Sequence, residues 1–170
     1  AIASLSYHQQ DDRVIMGESD VCSLLVEIME LHAEKQLIAE HCCCSVRNLS
    51  DIQNNVVKFS QSIKCCQYLT KILRHHSNVS ILVPQCAAAI AGLTFDNETN
   101  ISRFGDLGAC ELLIQALHKF PHDTFLVDSV LLAMVNLSAK QENGSRFMEG
   151  HICPEVIEVT KPRIDNPGVS

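Results

Sequence analysis

The chain nearly repeats itself every 44 residues, with Leu49, Leu93 and Leu137 in register. Leu25, Leu69, Leu113 and Ile157 share a second column, and Cys22, Cys66 and Cys110 a third. Ile28 aligns with Ile72, Met29 with Leu73 and Leu117, and Val46 with Ile90 and Met134. A fixed period of this length marks units that cannot bury their apolar faces alone and therefore stack. Stacked units present long surfaces, which points to binding before chemistry.

Composition agrees with stacking. The apolar fraction of 46% suffices for a continuous core, while aromatics are 5% and Trp is absent, so Leu, Ile, Val, Ala and Cys must fill it. Sparse Gly and Pro disfavour a β-sandwich with many tight turns. A net charge of -7 gives no electrostatic footprint for nucleic acid or an anionic membrane. No apolar run reaches the roughly 20 residues that span a bilayer. Nine cysteines, several adjacent, make a poor disulfide framework; they fit small buried side chains in a reducing compartment, the cytosol or nucleus. Six Asn-x-Ser/Thr triplets begin at Asn48, Asn78, Asn97, Asn100, Asn136 and Asn143. Asn48 and Asn136 are also repeat positions inside a helix, so the triplets read as coincidence and not as glycosylation sites.

Each unit reads as helices. Apolar residues recur at helical spacing in Val21 to His32, Cys65 to Leu73 and Ala109 to Leu117. A polar break follows each, with Asn78 and Asp123 as candidate caps. A second stripe then runs through Leu37, Ile38, Cys42, Val46 and Leu49, through Ile81, Leu82, Cys86, Ile90 and Leu93, and through Phe125, Leu126, Val130, Met134 and Leu137. These stripes are expected to be buried. Short amphipathic pieces follow at Ile52 to Phe59, Glu98 to Phe104 and Glu142 to Phe147, with a one-residue slip around Asn97 to Phe104.

Three strings now stand in register: Ser45-Val46-Arg47-Asn48-Leu49, Ala87-Ala88-Ala89-Ile90-Ala91-Gly92-Leu93 and Leu132-Ala133-Met134-Val135-Asn136-Leu137. They resemble the third-helix core of the armadillo repeat, and Gly108-Ala109-Cys110-Glu111-Leu112-Leu113 is similar to the start of that family's second helix. The resemblance covers nearly the whole chain. Asp20 and Lys64 depart from it, standing where the family prefers Gly, and Gly92 replaces an Asn. It implies an all-α, right-handed α-solenoid of stacked three-helix armadillo repeats. The expected units are 20–63, 64–107 and 108–151. They are preceded at 1–19 by the end of an earlier repeat with its linking short helix, and followed at 152–170 by a partial repeat and polar tail. There Val156 and Ile157 begin a helix that Pro162 stops. Both ends thus read as cut within a unit of a longer solenoid.

The resemblance also places the partner-binding face on the third helices. Its columns are Glu40, Pro84 and Asp128; Cys44, Ala88 and Leu132; Arg47, Ala91 and Val135; Asn48, Gly92 and Asn136; and Asp51, Phe95 and Ala139. The Trp positions of importin-α-like grooves hold Cys44, Ala88 and Leu132, which disfavours binding of nuclear signals. Of the basic floor of β-catenin-like grooves only Arg47 is present. The expected groove is shallow, mildly apolar and flanked by Glu40, Asp51 and Asp128, with Ala88, Ala91 and Gly92 admitting a close backbone. Asn48 and Asn136 are expected to hydrogen-bond a peptide backbone.

Chemistry is not expected. Adjacent residues of His41-Cys42-Cys43-Cys44 point about 100° apart on a helix and cannot all face one ion, and no paired Cys-x-x-Cys occurs. No metal, cofactor or catalytic residue is expected. Cys44, with His41 one turn away, is the one thiol expected to face the groove. His32 and His76 share a column at the end of the second helix and read as caps, with His75 and His76 solvated. The function expected is a protein–protein interaction module binding a peptide or amphipathic helix, with no nucleic acid and no membrane span. The alternative is a regulatory or scaffold segment docked within a larger protein, or self-associating. The apolar end around Leu5 favours head-to-tail association of copies.

Overall fold

The computed structural model describes residues 2–8 and 10–150. The expected helix at Val156 and Ile157, and the segment 152–170, lie outside the described residues, as does the side chain of Leu5. Eleven helices and no strand occur among the described residues. They are α1 (Ile2–His8), α2 (Gln10–Glu18), α3 (Val21–His32), α4 (Gln36–Leu49), α5 (Gln53–Phe59), α6 (Lys64–His75), α7 (Leu82–Thr94), α8 (Glu98–Asp106), α9 (Ala109–Lys119), α10 (Thr124–Leu137) and α11 (Gln141–Glu149). Each 44-residue stretch therefore carries a helix of 11 or 12 residues, one of 13 or 14, and one of 7 to 9.

Helices one unit apart lie against each other. The longest contacts run from α1 to α4, α4 to α7 and α7 to α10, while α3 packs on α6 and α6 on α9. One hydrophobic cluster runs from Cys22 to Phe147, with Leu49, Leu69, Leu93, Leu113 and Leu137 fully buried. No unit closes a core of its own.

Polar side chains repeat the same logic and bind each unit to the one before. The amides of Asn55, Asn100 and Asn143 donate to the carbonyls of Leu49, Leu93 and Leu137, at 3.1, 2.8 and 3.1 Å. Asn55 also reaches Arg13 O at 2.9 Å, and Asn143 reaches Ile101 O at 3.1 Å. Each short helix thus fixes the end of its own long helix, and two of the three also grip the preceding short helix. Lys58, Arg103 and Arg146 form a second ladder, donating to the carbonyls of Gly17, Ser60 and Gly105. Those carbonyls end the preceding short helices, where a cation is favoured. His76 makes a third link: its Nε2 lies 2.8 Å from Ala33 O, at the end of α3. His76 is therefore buried and not solvated, whereas its column mate His32 holds a buried Nδ1 without a partner.

Local signals set several boundaries. Asp123 caps α10 by accepting from the Leu126 amide at 2.9 Å, and Asn97 caps α8 through the Asn100 amide at 2.9 Å. Asn78 is not the cap of α7, which starts at Leu82 behind Ile81. Asp20 and Gly108 both take left-handed backbone, φ 57° and 81°, just before the helices they precede. Asp tolerates that conformation with a small penalty, which explains how it stands at a Gly position.

The expected buried stripe is corrected at its first residues. Leu37, Ile81 and Phe125 are 66%, 57% and 42% exposed. Leu37 and Phe125 lie about one turn before Glu40 and Asp128, on the same helix face, and Ile81 stands just ahead of α7, so the three join the outward surface and not the core; Pro84, expected in the outward column with Glu40 and Asp128, is buried instead. Asn48, Asn100 and Asn143, three of the six triplet asparagines, are buried with their amides engaged.

Candidate functional site

The face formed by α4, α7 and α10 exists because each helix buries one side against its neighbours and leaves the other open. On α10, Leu132 and Val135 are 51% and 71% exposed, and Phe95 at the end of α7 is 61% exposed. With Leu37, Ile81 and Phe125 they give six large apolar side chains on one face. Sequence reasoning missed the last three, although their place one turn before the acidic column is the signal that locates them.

The other candidate residues divide. Asp51 and Asp128 are exposed, while Glu40, Cys44, Arg47, Ala88, Gly92 and Asn136 are half-buried. Asn48 and Ala91 are only 6% and 2% exposed, and Asn48 reaches the surface just at the edge of the cleft beside Ala3 and Tyr7. The Asn48 amide donates to Ala3 O at 3.3 Å and to Ser6 Oγ at 3.2 Å on α1. Likewise Asn136 donates to Ala91 O at 2.9 Å on α7. These amides tie one long helix to the previous one and do not project toward a ligand backbone. Gly92 is also explained from within: a Cβ there would fall 2.1 Å from Ser50 Oγ. The missing side chain admits the end of α4, not a partner's backbone.

Arg47 is the best-held side chain on the face. Its Nε and Nη2 donate to Asn48 Oδ1 at 3.1 and 2.9 Å, and its Nη1 to Gln85 Oε1 on α7 at 2.5 Å. Its guanidinium carbon lies 5.6 Å from the centre of the Phe125 ring on α10, a cation–π contact. One side chain therefore touches all three long helices. Asp51 is tied back to Arg13 of α2 by an ion pair. Beside Arg47 the face continues into an open cleft of about 310 Å³, lined by Ala3, Ser4, Tyr7 and Cys44.

The thiols are chemically quiet. Burial pushes Cys42 and Cys66 up to about 12 and Cys22 and Cys110 up to about 11. Cys43 is raised by a hydrogen bond with Cys86 and by burial. Cys44 is half-buried, and burial raises it against the opposing pull of Arg47, which disfavours the thiolate a nucleophile requires. All eight cysteines among the described residues are free thiols. Among the described residues no three His, Cys, Asp or Glu side chains gather to hold a metal ion, and no helix is long and apolar enough to cross a membrane. A scan against protein-family models gives no match for this chain, and neither does a search of curated proteins.

Proposed function

We propose that the chain is an armadillo-type α-solenoid working as a protein–protein interaction module, with a peptide or amphipathic helix seated along the face of α4, α7 and α10. The observation that carries this reading is the set of six exposed apolar side chains on that face: Leu37, Ile81, Phe95, Phe125, Leu132 and Val135. Isolated exposed apolar residues are ordinary, whereas a grouping on one face marks an interaction site. The repeat ladders support it too, because they hold the long helices in a row without drawing on these six side chains. An apolar face framed by Glu40, Asp51 and Asp128 suits the apolar anchors of a helix or an extended segment.

A pull-down comparing the wild type with a Leu132→Glu, Val135→Glu double variant tests the face. Loss of bound partners from the double variant, with its helicity intact, is the expected outcome. An unchanged set of partners would reject this surface.

A further inference from the structure

We infer that Arg47 is a specificity-determining residue of the docking face: it stops a bound segment from running the full length of the face and confines it to the side that carries Phe95, Leu132 and Val135. The inference rests on the docking function proposed above and narrows its footprint. Arg47 leaves α4, donates to Gln85 Oε1 on α7, and sets its guanidinium carbon 5.6 Å from the centre of the Phe125 ring on α10. α7 lies between the other two long helices and packs on both. The Arg47 side chain and the Phe125 ring therefore meet above α7 and form a bridge across it. The bridge is held at its root as well, because Nε and Nη2 donate to Asn48 Oδ1 while the Asn48 amide is anchored on α1. A planar guanidinium held through three nitrogens and over a ring keeps one geometry. Between Ile81 and Phe95, α7 shows only Gln85, Ala88 and Gly92 at its surface, each half-buried. The bridge lies on the first of these three.

Helical rise locates the bridge among the apolar side chains. Gln85 follows Ile81 by about 6 Å and precedes Phe95 by about 15 Å along α7, and Phe125 precedes Leu132 and Val135 by about 10 and 15 Å along α10. On α4, Leu37 lies about 15 Å ahead of Arg47. Leu37 and Ile81 therefore fall on one side of the bridge, and Phe95, Leu132 and Val135 on the other. The second side offers three large exposed side chains beside a floor of Ala88 and Gly92. Its length of about 10–15 Å takes two to three turns of helix or three to five extended residues. A segment continuing toward Ile81 would have to lift off α7, or break the Gln85 hydrogen bond and the ring contact together. Either way it gains less than a segment that ends at Arg47.

The test uses peptides selected from a random dodecamer library, displayed on phage, against the immobilised chain, with affinities read by fluorescence anisotropy of the synthetic peptides. Leu132→Glu, Val135→Glu should weaken them about tenfold or more, the scale of a lost anchor, while Ile81→Glu should leave them within about twofold. Arg47→Ala removes the bridge and opens the way to Ile81. Peptides selected afresh against Arg47→Ala should lose about fivefold or more when Ile81→Glu is added. Phe125→Leu takes away the far end of the bridge and should create the same dependence on Ile81. A substitution that merely loosened the fold would weaken binding without creating that dependence. Equal losses from Ile81→Glu and from Leu132→Glu, Val135→Glu in the otherwise wild-type chain would overturn the barrier and leave the docking face standing. So would peptides selected against Arg47→Ala and Phe125→Leu that ignore Ile81→Glu. No selected peptide at all, or binding that survives Leu132→Glu, Val135→Glu, would remove the docking function and this inference with it. Thermal melts of each variant show whether lost binding is lost folding.

Discussion

The contact between Gly105 and Asn143 gives the sharpest energetic test of how one unit grips the next. Asn143 is buried and donates to Leu137 O and Ile101 O, both at 3.1 Å. Removing it in Asn143→Ala loses two buried hydrogen bonds at about 1 kcal/mol each and leaves a void, for a total of about 2–3 kcal/mol. Gly105 faces the other atom of that amide: a Cβ added there would lie 1.9 Å from Asn143 Oδ1. Gly105→Ala alone should therefore cost about 1–3 kcal/mol by overpacking. In the double variant the new methyl enters space that Asn143 has vacated, and a helical Gly→Ala change itself contributes about 0.5–1 kcal/mol. The double variant should be no less stable than Asn143→Ala alone, a coupling of at least about 1 kcal/mol. Urea unfolding followed by far-UV circular dichroism measures all three, with Asn78→Ala, an exposed change expected within about 0.5 kcal/mol of wild type, as control. Additive losses, or an Asn143→Ala variant as stable as wild type, would refute the reasoning.

Other expectations follow from the same packing. Gly144→Ala on α11, where the nearest atom to a new Cβ is Ser138 O at 3.9 Å, should raise stability by up to about 1 kcal/mol, measured by the same unfolding assay. A thiol-reactive dye at neutral pH should label Cys44 first among the described cysteines, because the other seven are buried; rapid labelling of Cys42 or Cys66 in the folded chain would contradict their burial. Stability should also fall in alkali. Folded thiols pushed up to about 11 or 12 stay protonated while unfolded ones ionise near 8.5–9, so the unfolded state binds fewer protons. Stability should hold below about pH 8 and then decline by up to about 1.4 kcal/mol per pH unit for each such thiol, which unfolding curves across that range would read.

The helices were legible because apolar periodicity is strong: Leu49, Leu93 and Leu137, placed in one column, are all buried. The asparagine ladder was not. Asn55, Asn100 and Asn143 are spaced unevenly because one extra residue precedes Asn100, and a rigid 44-residue ruler steps past it. Leu37, Ile81 and Phe125 were misread for another reason. Periodicity marks which residues share a face, but at the first turn of a helix the neighbours that would cover an apolar residue need not extend far enough. Asn48 and Asn136 were placed on the right helices with the wrong task, since spacing alone does not show whether an amide meets a partner or the adjacent helix. Arg47 was visible as the lone basic residue of its face, while its grip on Gln85 and Phe125, 38 and 78 positions away, exists only once the units stack.

Stacking itself is tested most directly by zero-length carbodiimide coupling followed by peptide mass spectrometry. Among the described residues three lysine–carboxylate ion pairs join neighbouring units: Lys64 to Glu30 at 2.8 Å, Lys71 to Glu34 at 2.9 Å and Lys140 to Asp106 at 3.7 Å. These three links, each between adjacent units, should dominate the cross-linked peptides of the monomer. Links that skip a unit, such as Glu30 or Glu34 to Lys140, in place of the adjacent ones would contradict the stacked arrangement and the docking face built on it.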